Sequence, residues 1–113
     1  MIVKDIVNGR KYEKIIKASL VKVKDKYPEL LFGSYFGALD VGKENYFVYF
    51  VFKSNKELNT ARKEGICISI EDYWKKCMTQ LEYEKDYIKS SCDFASQEEC
   101  EKQYGGNWYY FYK

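Results

Sequence analysis

The chain has 113 residues, 46% hydrophobic and 32% charged, with a formal net charge of +2 and no histidine. That length supports one domain able to bury about two-thirds of its unfolded surface, and the balance is that of a folded chain rather than a disordered one. The slight charge excludes a strong global field toward nucleic acid or membrane, no run nears the roughly 20 apolar residues of a membrane span, and without histidine no Ser-His or Cys-His nucleophile pair can form.

The opening stretch, MIVKDIVNGRK, has no basic lead followed by a long apolar segment and a small-residue cleavage site, so cytoplasmic residence is the expectation. From residue 10 a helical period takes over. Tyr12, Ile15, Ile16, Leu20, Val23 and Tyr27 recur at three- and four-residue steps, with lysines around the remaining circumference. Asn8 reads as the cap region, residues 10–26 as helix, and Pro28 as its end, because a proline pushes the preceding residue out of the helical region.

Two strand-like runs follow, about 31–41 and 46–53, joined by a hairpin loop at Gly42-Lys43-Glu44-Asn45. The second run is apolar on both faces, the signature of a central strand. Gly33 and Gly37 share one face of the first, where packing or close approach is the favoured explanation.

Three later helices are signalled by Ser caps with an acid three residues on: SNKE at 54–57, SIED at 69–72 and SQEE at 96–99. Ser54 should open a helix ending near Gly65. Ser69 should open a long one whose stripe runs from Ile70 through Tyr73, Trp74, Cys77, Met78 and Leu81 to Ile88. Ser96 should open a third, ending at Tyr104 before Gly105-Gly106. Residues 65–69, GICIS, read as a short strand or connector. The closing stretch NWYYFYK alternates as a half-exposed strand, with Trp108, Tyr110 and Tyr112 on one face and Tyr109 and Phe111 on the other. The order implies one α+β domain over residues 1–113. Its sheet should be mostly antiparallel, with three to four strands packed against three to four helices.

For chemistry, no phosphate loop or dinucleotide fingerprint is present, and no cofactor, metal ligand or catalytic residue is expected. Asp40 is the best-placed lone carboxylate, and reads as a turn residue. The four cysteines contain no Cys-x-x-Cys pair, which argues against an all-cysteine zinc site. Cys77 falls on an apolar helix stripe and reads as core. Cys92 and Cys100 close a short loop, and a disulfide between them is a candidate if their Cα atoms come within about 7 Å.

Charge is lopsided: residues 1–56 hold eleven Lys/Arg against six Asp/Glu, and residues 57–113 hold eight against eleven. A motif-free domain with abundant Tyr and an acidic back half points to binding rather than catalysis. The leading expectation is a protein partner, of which a bacterial toxin domain neutralised by an immunity-type protein is the concrete version. Glu98, Glu99, Glu101, Tyr104, Trp108, Tyr110 and Tyr112 would be the contacts. The alternative is a ligand or single-stranded nucleic-acid module using an aromatic sheet face, with Lys14, Lys17 and Lys22 on the phosphates. Nucleic acid is disfavoured by the slight charge and by only two arginines. No membrane partner is expected, and the oligomeric state is left open.

Overall fold

The computed structural model describes residues 3–113, with side chains from residue 9 onward. The first helix, α1 (Val3–Lys26), buries Ile16, Ser19, Leu20 and Val23 along the stripe expected from the 3.6-residue period. It does not begin after Asn8 but runs through Asn8-Gly9. A Cβ on Gly9 would lie 3.0 Å from the Asp40 backbone. The glycine is therefore there to let a loop approach the helix, and no turn is made at it. At the other end Lys24 Nζ donates to the Pro28 carbonyl at 2.9 Å and the Leu30 carbonyl at 2.6 Å, latching the chain as it turns back.

Strands β1 (Phe32–Gly37) and β2 (Tyr46–Phe52) form the expected antiparallel hairpin, pairing Phe32 with Val51 through Gly37 with Tyr46. The central strand is β2, buried on both faces except at Phe47. The Gly33 reading holds as packing: a Cβ there would stand 2.6 Å from the Phe50 ring. On Gly37 it would meet the Asn45 carbonyl oxygen at 2.2 Å.

Helix α2 (Asn55–Lys63) starts where its cap predicts, with Ser54 Oγ accepting from Glu57 N–H at 3.1 Å. The next helix departs from expectation at both ends. It is α3 (Ile66–Gln80), opened by Gly65 in the left-handed region (φ 76°) rather than by Ser69, so GICIS is its first turn. Ser69 N–H already donates to the Gly65 carbonyl at 3.1 Å, an intrahelical bond. The C-terminus comes early because Glu82 adopts φ 64°, with Glu82 N–H bonded to Thr79 O and Tyr83 N–H to Met78 O. Those are the two bonds of a Schellman stop. A Glu in the position that favours Gly hides the stop from sequence, and Ile88 lies well beyond it.

A 3-10 turn (Lys85–Tyr87) leads to β3 (Asp93–Ser96), which pairs parallel with β2. The sheet is therefore mixed, in the order β1-β2-β3, rather than mostly antiparallel. Helix α4 (Gln97–Tyr104) begins on Ser96, whose Oγ accepts from Glu99 N–H at 3.1 Å. Gly105 and Gly106, with φ 60° and 85°, then turn the chain.

The final aromatic stretch is not a strand. It is a short helix, α5 (Trp108–Phe111), capped by Asn107 accepting from Tyr110 N–H at 3.1 Å. One face of the sheet packs on α1 and α3 through Tyr46, Val48, Phe50 and Phe52, around the fully buried Trp74. The other face is roofed by α5. The whole is α+β, with five α-helices and three strands among the described residues. No described helix is long and apolar enough to cross a membrane.

Candidate interaction surface

The second sheet face presents Phe32 and Phe36 from β1 and Phe47, Tyr49 and Val51 from β2, as strand alternation requires. Tyr49 is its hub. It stacks on Phe36 at 5.5 Å with an interplanar angle of 11°, and meets Trp108 at 5.5 Å and Tyr112 at 4.7 Å. Trp108 also lies edge-on to Phe32 at 5.8 Å and donates its indole N–H to Gln97 Oε1 at 3.3 Å. The aromatic sheet face is therefore occupied by the chain's own C-terminus.

A helical period, not a strand period, sorts the tail. Trp108, Phe111 and Tyr112 turn inward at i, i+3 and i+4, which leaves Tyr109 and Tyr110 at 60% and 52% exposure. Tyr104, on the last turn of α4, is 42% exposed and packs edge-on to Phe111 at 5.7 Å. The seven residues singled out from sequence thus divide. Tyr104, Tyr110 and Glu101 are exposed, Glu99 is half-buried, and Trp108 and Tyr112 are structural. Tyr109 was missed because alternation put it on the face opposite Tyr110; the spacing of Trp108, Phe111 and Tyr112 was the signal available. Phe47 is 37% exposed, although the run that holds it is apolar on both faces.

Glu98 is also structural. Its Oε1 accepts from Asn55 N–H at 2.9 Å, closing the first turn of α2, while Oε2 pairs with Lys102 at 3.3 Å. That backbone N–H, then Lys102, hold its carboxyl below the ordinary glutamate value. A lowered folded pKa adds stability that is fully present above the unfolded value and lost as pH falls through the folded one. Glu98→Gln should therefore destabilise the protein at neutral pH and converge with wild type as the pH falls below the folded value of the carboxyl, as read by urea midpoints across pH. A constant gap at every pH would show that the carboxylate charge is not what joins α2 to α4.

Tyr112 carries a buried hydroxyl that completes no hydrogen bond among the described residues. Burial, then the Asp93 carboxylate beside it, push its phenol well above the ordinary value. The candidate disulfide is not formed. All four cysteines are free thiols, and Cys92 and Cys100 lie on opposite sides of the sheet. Cys92 packs toward the α1–α3 core, with its backbone N–H on Glu71 Oε2 at 3.1 Å. Cys100 is fully buried beneath α4, on the Tyr49 and Tyr112 side. Burial and Glu71 raise the Cys92 thiol, and burial raises Cys100, so both stay protonated and unreactive at neutral pH. Among the described residues, no cluster of three or more Cys, Asp or Glu side chains could hold a metal ion.

The exposed residues of α4 and α5 are Glu101, Lys102, Gln103, Tyr104, Tyr109 and Tyr110, with Asp93 exposed on β3 below Tyr112. No family model, curated protein or solved structure matches this chain.

Proposed function

We propose that this chain is a small, non-catalytic protein-binding domain whose contact surface lies on α4 and α5. In its specific form it occludes a basic partner such as the phosphate-handling face of a bacterial toxin domain. The observation that carries the reading is the outward tyrosine set Tyr104, Tyr109 and Tyr110 on a scaffold pinned by Trp108 and Tyr112. Tyr supplies large contact area at little conformational cost, and its hydroxyl pairs at a wet rim. Glu101, against the α4–α5 turn, and Asp93 add the negative charge that a basic partner would meet.

The test is affinity capture from a lysate of the source organism with wild type and with an E101K/Y109S/Y110S variant, the fold of each checked by circular dichroism. A stoichiometric partner held by wild type and weakened by about a hundredfold or more in the variant is the expected result. A partner held equally by both, or none held by wild type, would overturn the reading. An aromatic ligand or nucleic-acid reader would need the sheet face that α5 already covers.

A further inference from the structure

The residues after Gly106 are held differently from the rest of the chain. Helix α4 is anchored to the body through its first turn, where Glu98 N–H donates to the Lys53 carbonyl at 3.2 Å and the Glu98 carboxylate accepts from Asn55 N–H. Beyond Gly106 that anchoring stops. The backbone N–H bonds of Asn107, Tyr110, Phe111, Tyr112 and Lys113 all run to acceptors within residues 104–110. Among the described residues, one hydrogen bond from this stretch reaches further back, the Trp108 indole N–H on Gln97 Oε1 at 3.3 Å. A helix as short as α5 does not hold itself in place. What seats it is the packing of the Trp108 and Tyr112 rings on Phe32, Phe47 and Tyr49.

Gly105 and Gly106 form the joint, with φ 60° and 85°. They differ from Gly9, Gly33 and Gly37, where an added Cβ would strike a neighbour. A Cβ on Gly105 meets nothing within 4 Å, and one on Gly106 comes no nearer than 3.8 Å to Glu101. These two glycines serve the conformation of the turn and not close packing, so rotation at them displaces nothing. The seated position also carries a fault. The Tyr112 hydroxyl is buried with no hydrogen-bond partner among the described residues, and lifting the segment would return it to water. Cys100 is fully buried on the same side, and its carbonyl accepts from Gly106 N–H at 3.2 Å.

We infer that residues 107–113 are a lid that swings on Gly105–Gly106 while the rest of the domain stays folded. Closed, it covers Phe36, Phe47 and Tyr49. Open, it bares that aromatic face and the Cys100 thiol. The core around Trp74 contains no residue of the segment, so the α1–α3 side keeps its packing when the lid lifts. Terminal units with few backbone ties to the body are the ones that open below the cost of global unfolding. Whether the α4–α5 surface has a partner makes no difference to this motion.

The probe is N-ethylmaleimide, reacted to low extent with the intact protein, with labelled thiols located by peptide mass spectrometry and rates normalised to the urea-unfolded chain. Cys77, 1% exposed on the α3 stripe, is the internal reference for Cys100 at 0%. A lid predicts Cys100 labelled at least about a hundredfold faster than Cys77, with a shallow urea dependence because little surface opens. Gly105→Ala strains the left-handed joint and should speed Cys100 labelling by about tenfold. Tyr112→Phe keeps the ring and removes the unpartnered hydroxyl, so it should slow that labelling by about tenfold. Equal rates and equal urea slopes at Cys100 and Cys77 would overturn the inference, since the thiol would then be reached only by global unfolding. So would a Cys100 rate that Gly105→Ala leaves unchanged, or one that Tyr112→Phe raises.

Discussion

Trp74→Ala should cost about 3–5 kcal/mol, the range for deleting a buried Trp side chain. That is a large share of the roughly 5–15 kcal/mol that holds a domain of this kind folded. Trp74 is completely buried on the α3 stripe with Ile70 and Met78. Its indole N–H donates to Ser19 Oγ at 3.2 Å, and the Ser19 hydroxyl donates to the Ile16 carbonyl at 2.6 Å. The substitution thus removes both the bulk between α1 and α3 and the donor that satisfies a buried serine. Trp74→Phe separates the two effects, because it keeps most of the packing and loses only the hydrogen bond, for about 1–2 kcal/mol. Urea denaturation of the three proteins decides the matter. A loss under about 1 kcal/mol for the alanine variant would mean that the α1–α3 seam can close over the gap.

Trp108→Ala should cost about 2–3 kcal/mol, less than a fully buried Trp because the ring is only half-buried. It touches Phe32, Tyr49, Phe111 and Tyr112, so its removal opens the roof over the second sheet face. Tyr109→Ala and Tyr110→Ala should stay within about 0.5 kcal/mol, as exposed positions do. A strand would give another pattern, with Trp108, Tyr110 and Tyr112 alike. The thermal midpoints of the three variants therefore distinguish a helix from a strand in the tail. If Tyr110→Ala is as damaging as Trp108→Ala, the helical account of residues 108–111 fails.

The element with a long period was legible from sequence, and so were two of the three helix starts signalled by a Ser cap, Ser69 lying inside α3. The α1 stripe spans several turns, and Ser54 and Ser96 sit at the starts they announce. Short elements were not. The four residues of β3 carry too little pattern to show a strand, and their parallel partner lies more than forty positions earlier in the chain. At the candidate site, residue types were legible but their orientation was not. Glu98 looked like a free acid until Asn55 was brought against it, and Tyr110 was grouped with Trp108 until the helix turned the two apart.

The sequence alone determined the α+β class, the central place of β2, the close-packed glycines of β1 and the excess of aromatic and charged surface, because each rests on local periodicity or composition. Only the tertiary structure decided that the last aromatics form a helix. Two left-handed glycines and the Asn107 cap permit either course, and a sheet face already lined by Phe32, Phe36 and Tyr49 makes helical presentation of Trp108, Phe111 and Tyr112 the one that buries most. It also decided that the β1 edge stays open, since backbone pairing depends on which strand arrives beside it and not on the residues within it.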